Sequence, residues 1–435
     1  MGSGGRGGDW QDYLHSLAVF GMRPGLERVA ALLARLDHPE RTFRALHVVG
    51  TNGKSSTTRY AAAILGVAGL RAAAYLSPHI TGFNERVLVD GRPIAPERLG
   101  AAVEQVRSEC VGLPAELGDV TQFEVLTVAA LAALRDAGVQ AAAIEAGLGG
   151  RLDATNVLAA PVVVLTTIGL EHTAVLGDTR ELIFAEKAAV IAPGADAVFG
   201  PLDGLEGAAE QVCARVGARA WLLGRDVLVE GRPAAFSVTV GGARYADLAV
   251  PTPARYQTVN AGLAVAACRL LLGRLEPSAP RGALAATAVP GRLQVAGREP
   301  LLLADGAHNP DGVRALAGAL GALERPAPRV GVFAVMADKA VDEMLAGLVP
   351  LVDRVVCTRA SEARSLTGEA LAERVRRVAG AAVTDVRVED DPHAAVALGR
   401  RLAGAGGSVL IAGSLYLLAD LADLLDPGAG GGGVY

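Results

Sequence analysis

Leu46-His47-Val48-Val49-Gly50-Thr51-Asn52-Gly53-Lys54-Ser55-Ser56 reads as a short apolar strand running into a glycine loop with a lysine and two hydroxyls, followed by a helix over Thr57 to Val67. That order of parts suits a phosphate cradle. Glycines let backbone N–H groups turn inward on an anion, the helix N-terminus adds partial positive charge, a lysine reaches the outer phosphates, and a hydroxyl can join a Mg²⁺ shell. The stretch departs from GxxxxGK[ST], because Val48 stands where that pattern has its first glycine. Two readings stay open on these residues alone: a shortened nucleotide-binding loop, GTNGKSS, or a glycine-rich strand-to-helix turn with a surface lysine.

Working outward, helices are expected over 12–20 and 25–36, the second with Leu26, Val29, Ala30, Leu33 and Leu36 at helical spacing. Downstream, Arg71 to Leu76 reads as a strand ending at Ser77-Pro78-His79, and Phe83-Asn84-Glu85-Arg86 opens a hairpin through Asp90-Gly91. Thr121 and Glu124 have capping-box spacing before the apolar helix Val125 to Leu134, so Glu124 reads as a cap in preference to a catalytic acid. Val139 to Ile144 is nearly all apolar, as a parallel strand buried on both faces should be, and it ends in Glu145. A carboxylate at such a strand tip, with a phosphate loop earlier in the chain, is how nucleotide enzymes hold Mg²⁺. Val162 to Thr167 delivers the loop Ile168-Gly169-Leu170-Glu171-His172. A lone histidine is more often structural than a ligand; His172 gains weight by sitting, like Glu145, just past a buried strand.

Gly147-Leu148-Gly149-Gly150 is not a dinucleotide fingerprint, since Leu152 falls where GxGxxG needs its last glycine. Asp178 or Thr179 can cap the next helix, which carries Glu186 and Lys187. From Arg219 to Val250 short alternating segments with glycine turns predict a small β subdomain. Arg255 to Leu275 is a long helix with Gln257 and Asn260 in its first turns; Pro290-Gly291-Arg292 breaks the chain, and a domain boundary is expected near Gly297. Beyond it, strands at 300–304, 329–335, 353–357, 385–388 and 408–412 alternate with helices in a second, mostly parallel α/β domain. Its first strand ends in Asp305-Gly306-Ala307-His308-Asn309-Pro310.

Composition narrows the function classes. A chain of 435 residues has room for two domains, and 51% hydrophobic with only 4% aromatic residues means a core of Ala, Val and Leu. A net charge of −5 offers no basic field for nucleic acid, so anions must be bound locally. Cys110, Cys213, Cys268 and Cys357 lie far apart without CxxC spacing, which points to neither disulfides nor zinc and to a reducing compartment. The N-terminus MGSGGRGGDW has no signal core, and Arg6 stands where a myristoylation motif has Ser or Thr. The longest uncharged apolar run, Val157 to Leu170, contains Pro161 and is shorter than the about 20 residues of a membrane span. The expectation is a soluble, cytoplasmic monomer without membrane or nucleic-acid partners.

HVVGTNGKSST, SPH followed by FNER, TQFEVLT, EAGLGGRLDATN, TTIGLEHTAVLGDT, AEKAAVI, YQTVNA, PGR, DGAHNP and GSLY stand in this order along the chain. In these motifs, over nearly its whole length, the sequence resembles the folylpolyglutamate synthase/dihydrofolate synthase family, within the Mur ligase superfamily of ATP-dependent amide ligases. The resemblance implies an α/β fold: a P-loop-type ATPase domain over 1–296 with a mostly parallel sheet and a small β subdomain at about 219–250, then a Rossmann-like ligase domain over 297–426. The active site would lie in the cleft between the domains, and a Gly-rich tail, expected to be disordered, would cover 427–435.

Carried over by the same resemblance, Asn52, Gly53, Lys54, Ser55 and Ser56 hold the ATP phosphates, and Ser77, Glu145 and His172 hold Mg²⁺. Asn260, Arg292 and Asp305 match further ATP contacts, with His308 nearby; Lys54, Lys187, His172 and His308 are the candidate catalytic residues. Thr121, Gln122, Phe123, Leu152, Asp153 and Ala154 match the wall for the pterin substrate, as do Gly21, Met22 and Arg23. The departures are Ser55 for a glycine, Tyr256 for a histidine, Gln294 for a glutamate and Ala340 for an aspartate. The implied reaction joins L-glutamate to dihydropteroate or a reduced folate through an acyl phosphate. A muramyl-peptide ligase, against which the FNER and TQFE context stands, and a P-loop ATPase switch or binding module are the alternatives. Lys187 on its helix reads ordinarily as a solvated lysine or a partner of Glu186; the resemblance implies instead a buried, carbamylated lysine beside the metal site.

Overall fold

The computed structural model describes residues 9–18, 25–79, 82–380, 383 and 385–425. Gly21, Met22 and Arg23 and the Gly-rich 427–435 segment fall outside them. Two compact units are present, one built from Met1–Gly231, Phe236–Leu248 and Val259–Thr287, the other from Arg232–Ala235, Ala249–Thr258 and Ala288–Tyr435. The division falls inside the helix Tyr256–Leu272.

The first unit holds an eight-stranded sheet of β1 (Arg44–Val49), β2 (Ala72–Tyr75), β3 (Val87–Val89), β4 (Arg92–Pro93), β5 (Ala141–Glu145), β6 (Val162–Leu165), β7 (Asp196–Phe199) and β8 (Arg219–Leu222). In space they run β4-β3-β2-β5-β1-β6-β7-β8. All are parallel except β3 and β4, which form an antiparallel hairpin on the β2 edge. The central strands are apolar on both faces, as a covered parallel sheet requires. Ala45, Val49, Ile144, Val163 and Phe199 join one core with the helix Gln122–Asp136, of which 124–134 are all buried. Leu46, Val48 and Val164 are buried on the opposite side of the pleat. β2 and β5 pair alanine on alanine, Ala72 with Ala141 through Ala74 with Ala143.

Two expectations change here. Phe83–Arg86 is a short 3₁₀ helix, and the hairpin proper is Val87–Pro93, turned through Asp90 and Gly91 at positive φ. Arg219–Leu222 belongs to the large sheet as its edge strand, paired with β7; a separate antiparallel sheet is made by β9 (Val227–Arg232), β10 (Ala235–Val240) and β11 (Ala243–Leu248). Alternating, half-buried segments look alike in sequence whether they add to an old sheet or begin a new one.

The second unit is a doubly wound sheet of β12 (Gln294–Arg298), β13 (Leu301–Ala304), β14 (Arg329–Phe333), β15 (Arg354–Cys357), β16 (Asp385–Val388) and β17 (Ser408–Ala412), ordered β12-β13-β17-β14-β15-β16. Five strands are parallel; β12 is antiparallel to β13, with an irregularity between Val295 and Gly297. Gly297, expected at a domain boundary, thus lies inside a strand pair: its Gly-Arg-Glu-Pro context marks a tight turn. One face packs Leu303, Phe333 and Val355 against Leu316, Leu345 and Leu371; the other packs Val330, Val332 and Ile411 against Val396 and Leu417.

A buried ion pair ties the first unit's helices together. The Glu124 carboxylate accepts from Arg28 Nη2 at 2.7 Å and Nε at 3.0 Å and from Thr121 N–H at 2.8 Å, completing the capping box, with both charged side chains under 10% exposed. Arg28→Ala leaves that carboxylate buried without its counter-ion and is expected to cost about 3–5 kcal/mol in the first unfolding transition, with Arg28→Met/Glu124→Met recovering part of it. A loss below about 1 kcal/mol would mean the pair is effectively solvated.

Candidate active site

β5, β1 and β6 are neighbours with Val48 opposite Glu145 and Val49 opposite Leu165, so their C-terminal tips bring the glycine loop, Glu145 and the 166–172 loop side by side. This is where open α/β sheets bind ligands. Gly50, at φ 145°, leaves no room for a Cβ beside Thr166, and Gly53 turns at φ 90° as the N-cap of the helix Lys54–Val67, where a Cβ would collide with Asn260 Oδ1. Only glycine accepts both the angle and the approach. The Thr166 hydroxyl donates to Asn52 O at 2.7 Å, Asn52 N–H donates to Thr167 Oγ1 at 2.9 Å, and Gly169 N–H donates to Thr51 Oγ1 at 3.0 Å. The loop is therefore clamped by its neighbour.

Glu145 is 1% exposed, and its two oxygens accept from the Ser55 hydroxyl at 2.9 Å and from Ser77 N–H at 3.2 Å. Lys54 Nζ donates to the carbonyls of Gly50 and Thr51 at 3.0 and 3.2 Å. Lys187 Nζ, 1% exposed at its side chain, donates to the same Gly50 carbonyl at 2.9 Å and to Glu171 Oε1 at 2.9 Å. The surface-lysine reading is thereby overturned. Glu186 pairs instead with Arg151 at 2.9 Å. Burial pulls the Lys187 amine below the usual lysine range against the pull of Glu171, while Lys54 adds to the lowering. For Glu171 burial works upward, but Lys54 and Lys187 together hold its carboxyl below the ordinary glutamate range. His172 follows on the same loop, exposed, in the left-handed region at φ 47°, and heads the short helix Thr173–Leu176.

Of the expected substrate-wall residues, Phe123 packs against Gly147. The Phe123 ring leaves no room there for a Cβ, and it lies 6.3 Å from the Tyr75 ring. Leu152 is 49% exposed, whereas Asp153 and Ala154 are buried. Two side chains serve internal bonds: Thr121 Oγ1 works in the capping box, and Gln122 Nε2 donates to Leu14 O at 2.9 Å. Ser56 is buried in the first turn after Lys54.

Arg292, Asp305 and His308 belong to the second unit. Asp305, at the tip of β13, accepts from Tyr256 Oη and Leu293 N–H, both at 2.7 Å, and from Ala307 N–H at 2.8 Å. Burial raises its carboxyl, and Arg292 counters this. His308 donates from Nδ1 to Gly306 O at 2.8 Å. Sequence reasoning passed over Glu171, Thr51, Thr166 and Thr167; the Thr-Thr pair closing a buried strand was the available signal.

Among the described residues no three His, Cys, Asp or Glu side chains converge on a metal-sized site, and no helix is long and apolar enough to cross a membrane. Residues 291–415 match the Mur ligase, glutamate ligase domain. The dihydrofolate synthase/folylpolyglutamate synthase of Mycobacterium tuberculosis is 35% identical over 378 residues, covering 80% of this chain and 77% of that protein. The structure of Mycobacterium tuberculosis folylpolyglutamate synthase complexed with ADP superposes with a TM-score of 0.89 at 32% identity, covering 95% of this chain and 97% of that one. Escherichia coli FolC in complex with DHPP and ADP gives 0.87 at 30% identity, covering 97% and 98%. With this likeness covering most of the chain, the chain belongs to the dihydrofolate synthase/folylpolyglutamate synthase family of ATP-dependent ligases.

Proposed function

We propose that this chain uses ATP to activate the carboxylate of dihydropteroate or a reduced folate and joins it to the α-amino group of L-glutamate. One observation carries the reading: Ser55, beside Lys54 at the head of the loop helix, meets the buried Glu145 carboxylate at 2.9 Å on the neighbouring strand tip, in a chain that carries a glutamate ligase domain.

The chemistry needs such a site. A carboxylate and an amine do not condense at neutral pH, because oxide is too poor a leaving group. Attack of the acceptor carboxylate oxygen on the γ-phosphorus forms an acyl phosphate and releases ADP. Attack of the glutamate nitrogen on the acyl carbon then forms the amide, releases phosphate and loses one proton from nitrogen. Lys54 and the N–H groups opening its helix stabilise the charge on the phosphoryl oxygens. Asn52, Gly53, Ser55, Ser56 and Asn260 would line the phosphates, and Arg292, Asp305 and His308 are the remaining proposed nucleotide contacts. Thr121, Gln122, Phe123, Leu152, Asp153 and Ala154 form the acceptor wall.

The residues fit Mg²⁺. Glu145 offers hard oxygens at a buried tip, and Mg²⁺ is held through one or two carboxylates with phosphate oxygens and water, without a dedicated cluster. Ser77, Glu145 and His172 would hold it, and bound there it would neutralise charge on the transferring phosphoryl group.

Lys187 is proposed to be carbamylated. Its amine is buried, and burial favours the neutral form that adds CO₂, forming the N–C bond and releasing one proton. The resulting anion would help Glu145 and His172 order the phosphate site.

Lys54→Ala and Glu145→Ala are each expected to lower ADP formation by roughly 10²–10³-fold or more with an unchanged circular dichroism spectrum. Near-normal turnover by either variant removes the site assignment. With acceptor and ATP but no glutamate, hydroxylamine is expected to trap a hydroxamate; its absence where the full reaction runs excludes the acyl phosphate, and ADP release without acceptor or glutamate would indicate an ATPase switch. Lys187→Ala is expected to lose activity and regain part of it with short carboxylic acids, while the wild type weakens when CO₂ and bicarbonate are stripped. Full activity of Lys187→Ala restores a plain ammonium.

A further inference from the structure

His47 lies in β1, three residues before the glycine loop, with no exposed surface. Its Nε2 is 2.8 Å from Thr155 Oγ1, and that oxygen is 2.5 Å from Asp153 Oδ1. Thr155 N–H also donates to Asp153 Oδ1 at 3.0 Å, and Leu148 N–H donates to Oδ2 at 2.7 Å. The proton positions follow from counting donors. Thr155 has one hydroxyl proton, and the carboxylate is the acceptor for it, so the ring nitrogen facing the same oxygen must donate. His47 therefore carries its proton on Nε2, and Nδ1 is a bare, buried nitrogen without a partner. The opposite tautomer would bury an N–H with no acceptor, the costlier defect. Burial also keeps the imidazole neutral, its pKa lowered to about 4.

An apolar side chain of similar volume would fill this position with no orphaned nitrogen, so the retained imidazole calls for a use. The donors to Asp153 come from its own 147–155 segment. His47 ties that segment to the strand that carries the phosphate loop, while Arg151 ties it to the helix Arg180–Ala188.

We infer that His47 is a positioning residue for the acceptor substrate: acting through Thr155, it fixes the Asp153 carboxylate and the Leu148–Ala154 turn relative to the nucleotide loop. The inference deepens the proposed function, since it rests on Leu152, Asp153 and Ala154 facing the pterin.

The test uses the full-length enzyme with ATP and dihydropteroate varied separately. His47→Leu and Thr155→Val are expected to raise KM for dihydropteroate ~tenfold while KM for ATP stays within about twofold, as loss of one buried hydrogen bond predicts. His47→Gln and Thr155→Ser, which keep an N–H or O–H donor, are expected to recover most of the loss. Equal rises in both KM values, or His47→Gln no better than His47→Leu, overturn the inference. ¹⁵N NMR of the substrate-free enzyme is expected to show His47 protonated at Nε2, and a proton on Nδ1 overturns the bonded chain itself. Nε2 protonation with an unchanged dihydropteroate KM in the variants overturns the positioning role alone. A wild type that makes no product from any pterin or folate refutes the proposed activity, and the inference with it, even where the NMR result stands.

Discussion

Before any carbamylation of Lys187, two lysine amines donate to one backbone carbonyl. Lys54 and Lys187 both reach Gly50 O, and the arrangement holds because Glu171 stands 2.9 Å from Lys187 and supplies the compensating charge. In a site this dry, two unpaired cations so close would repel strongly. The remaining geometry depends on that triad. Gly50 must turn at φ 145°, β1 and β6 must be adjacent to deliver Glu171 to the lysines, and the helix Arg180–Ala188 must approach closely enough to bury Lys187. Gly150 makes that approach possible: a Cβ there would meet the backbone of Glu186 and Lys187. The lysine of the loop thus rests on a carbonyl that an anionic ligand can replace, and reaching a phosphate requires only that its flexible stem swing outward.

Much of this was legible in the sequence. The near-continuous apolar runs at β1, β5 and β6 fixed a buried parallel sheet, and parallel order places their tips together, so Gly53, Lys54 and Glu145 could be assigned to one neighbourhood from strand ends alone. Thr121 and Glu124 were legible because a capping box is local, four residues long, and indifferent to tertiary context. What escaped was non-local. Arg28, 96 positions before Glu124, looked like any charged residue on an amphipathic helix, and Glu171 looked like the neighbour of a more interesting histidine. His47 was hidden in a strand whose apolar pattern absorbs one polar residue without complaint. β12 was missed because its Gly-Arg-Glu-Pro turn imitates a linker.

The second unit meets the same problem, a buried carboxylate at a strand tip, with different parts. Asp305 is held by a phenol and two backbone N–H groups. Tyr256, which stands where the resemblance leads one to expect histidine, contributes one of those bonds. The substitution keeps a donor that cannot ionise to a cation, so the electrostatic balance at Asp305 falls to burial against Arg292.

Ser55 completes the comparison. A glycine after Lys54 would remove the 2.9 Å hydroxyl contact to Glu145 Oε1, a carboxylate only 1% exposed. The serine therefore holds the carboxylate in one rotamer at the end of β5, with Ser77 N–H holding the second oxygen. Both contacts are ordinary hydrogen bonds worth about 1–3 kcal/mol, strong enough to orient the group and weak enough to yield to a cation. The departure at this position adds an oxygen to the site where oxygen ligands are wanted, which is why it is compatible with the family's chemistry while changing how the Glu145 carboxylate is held.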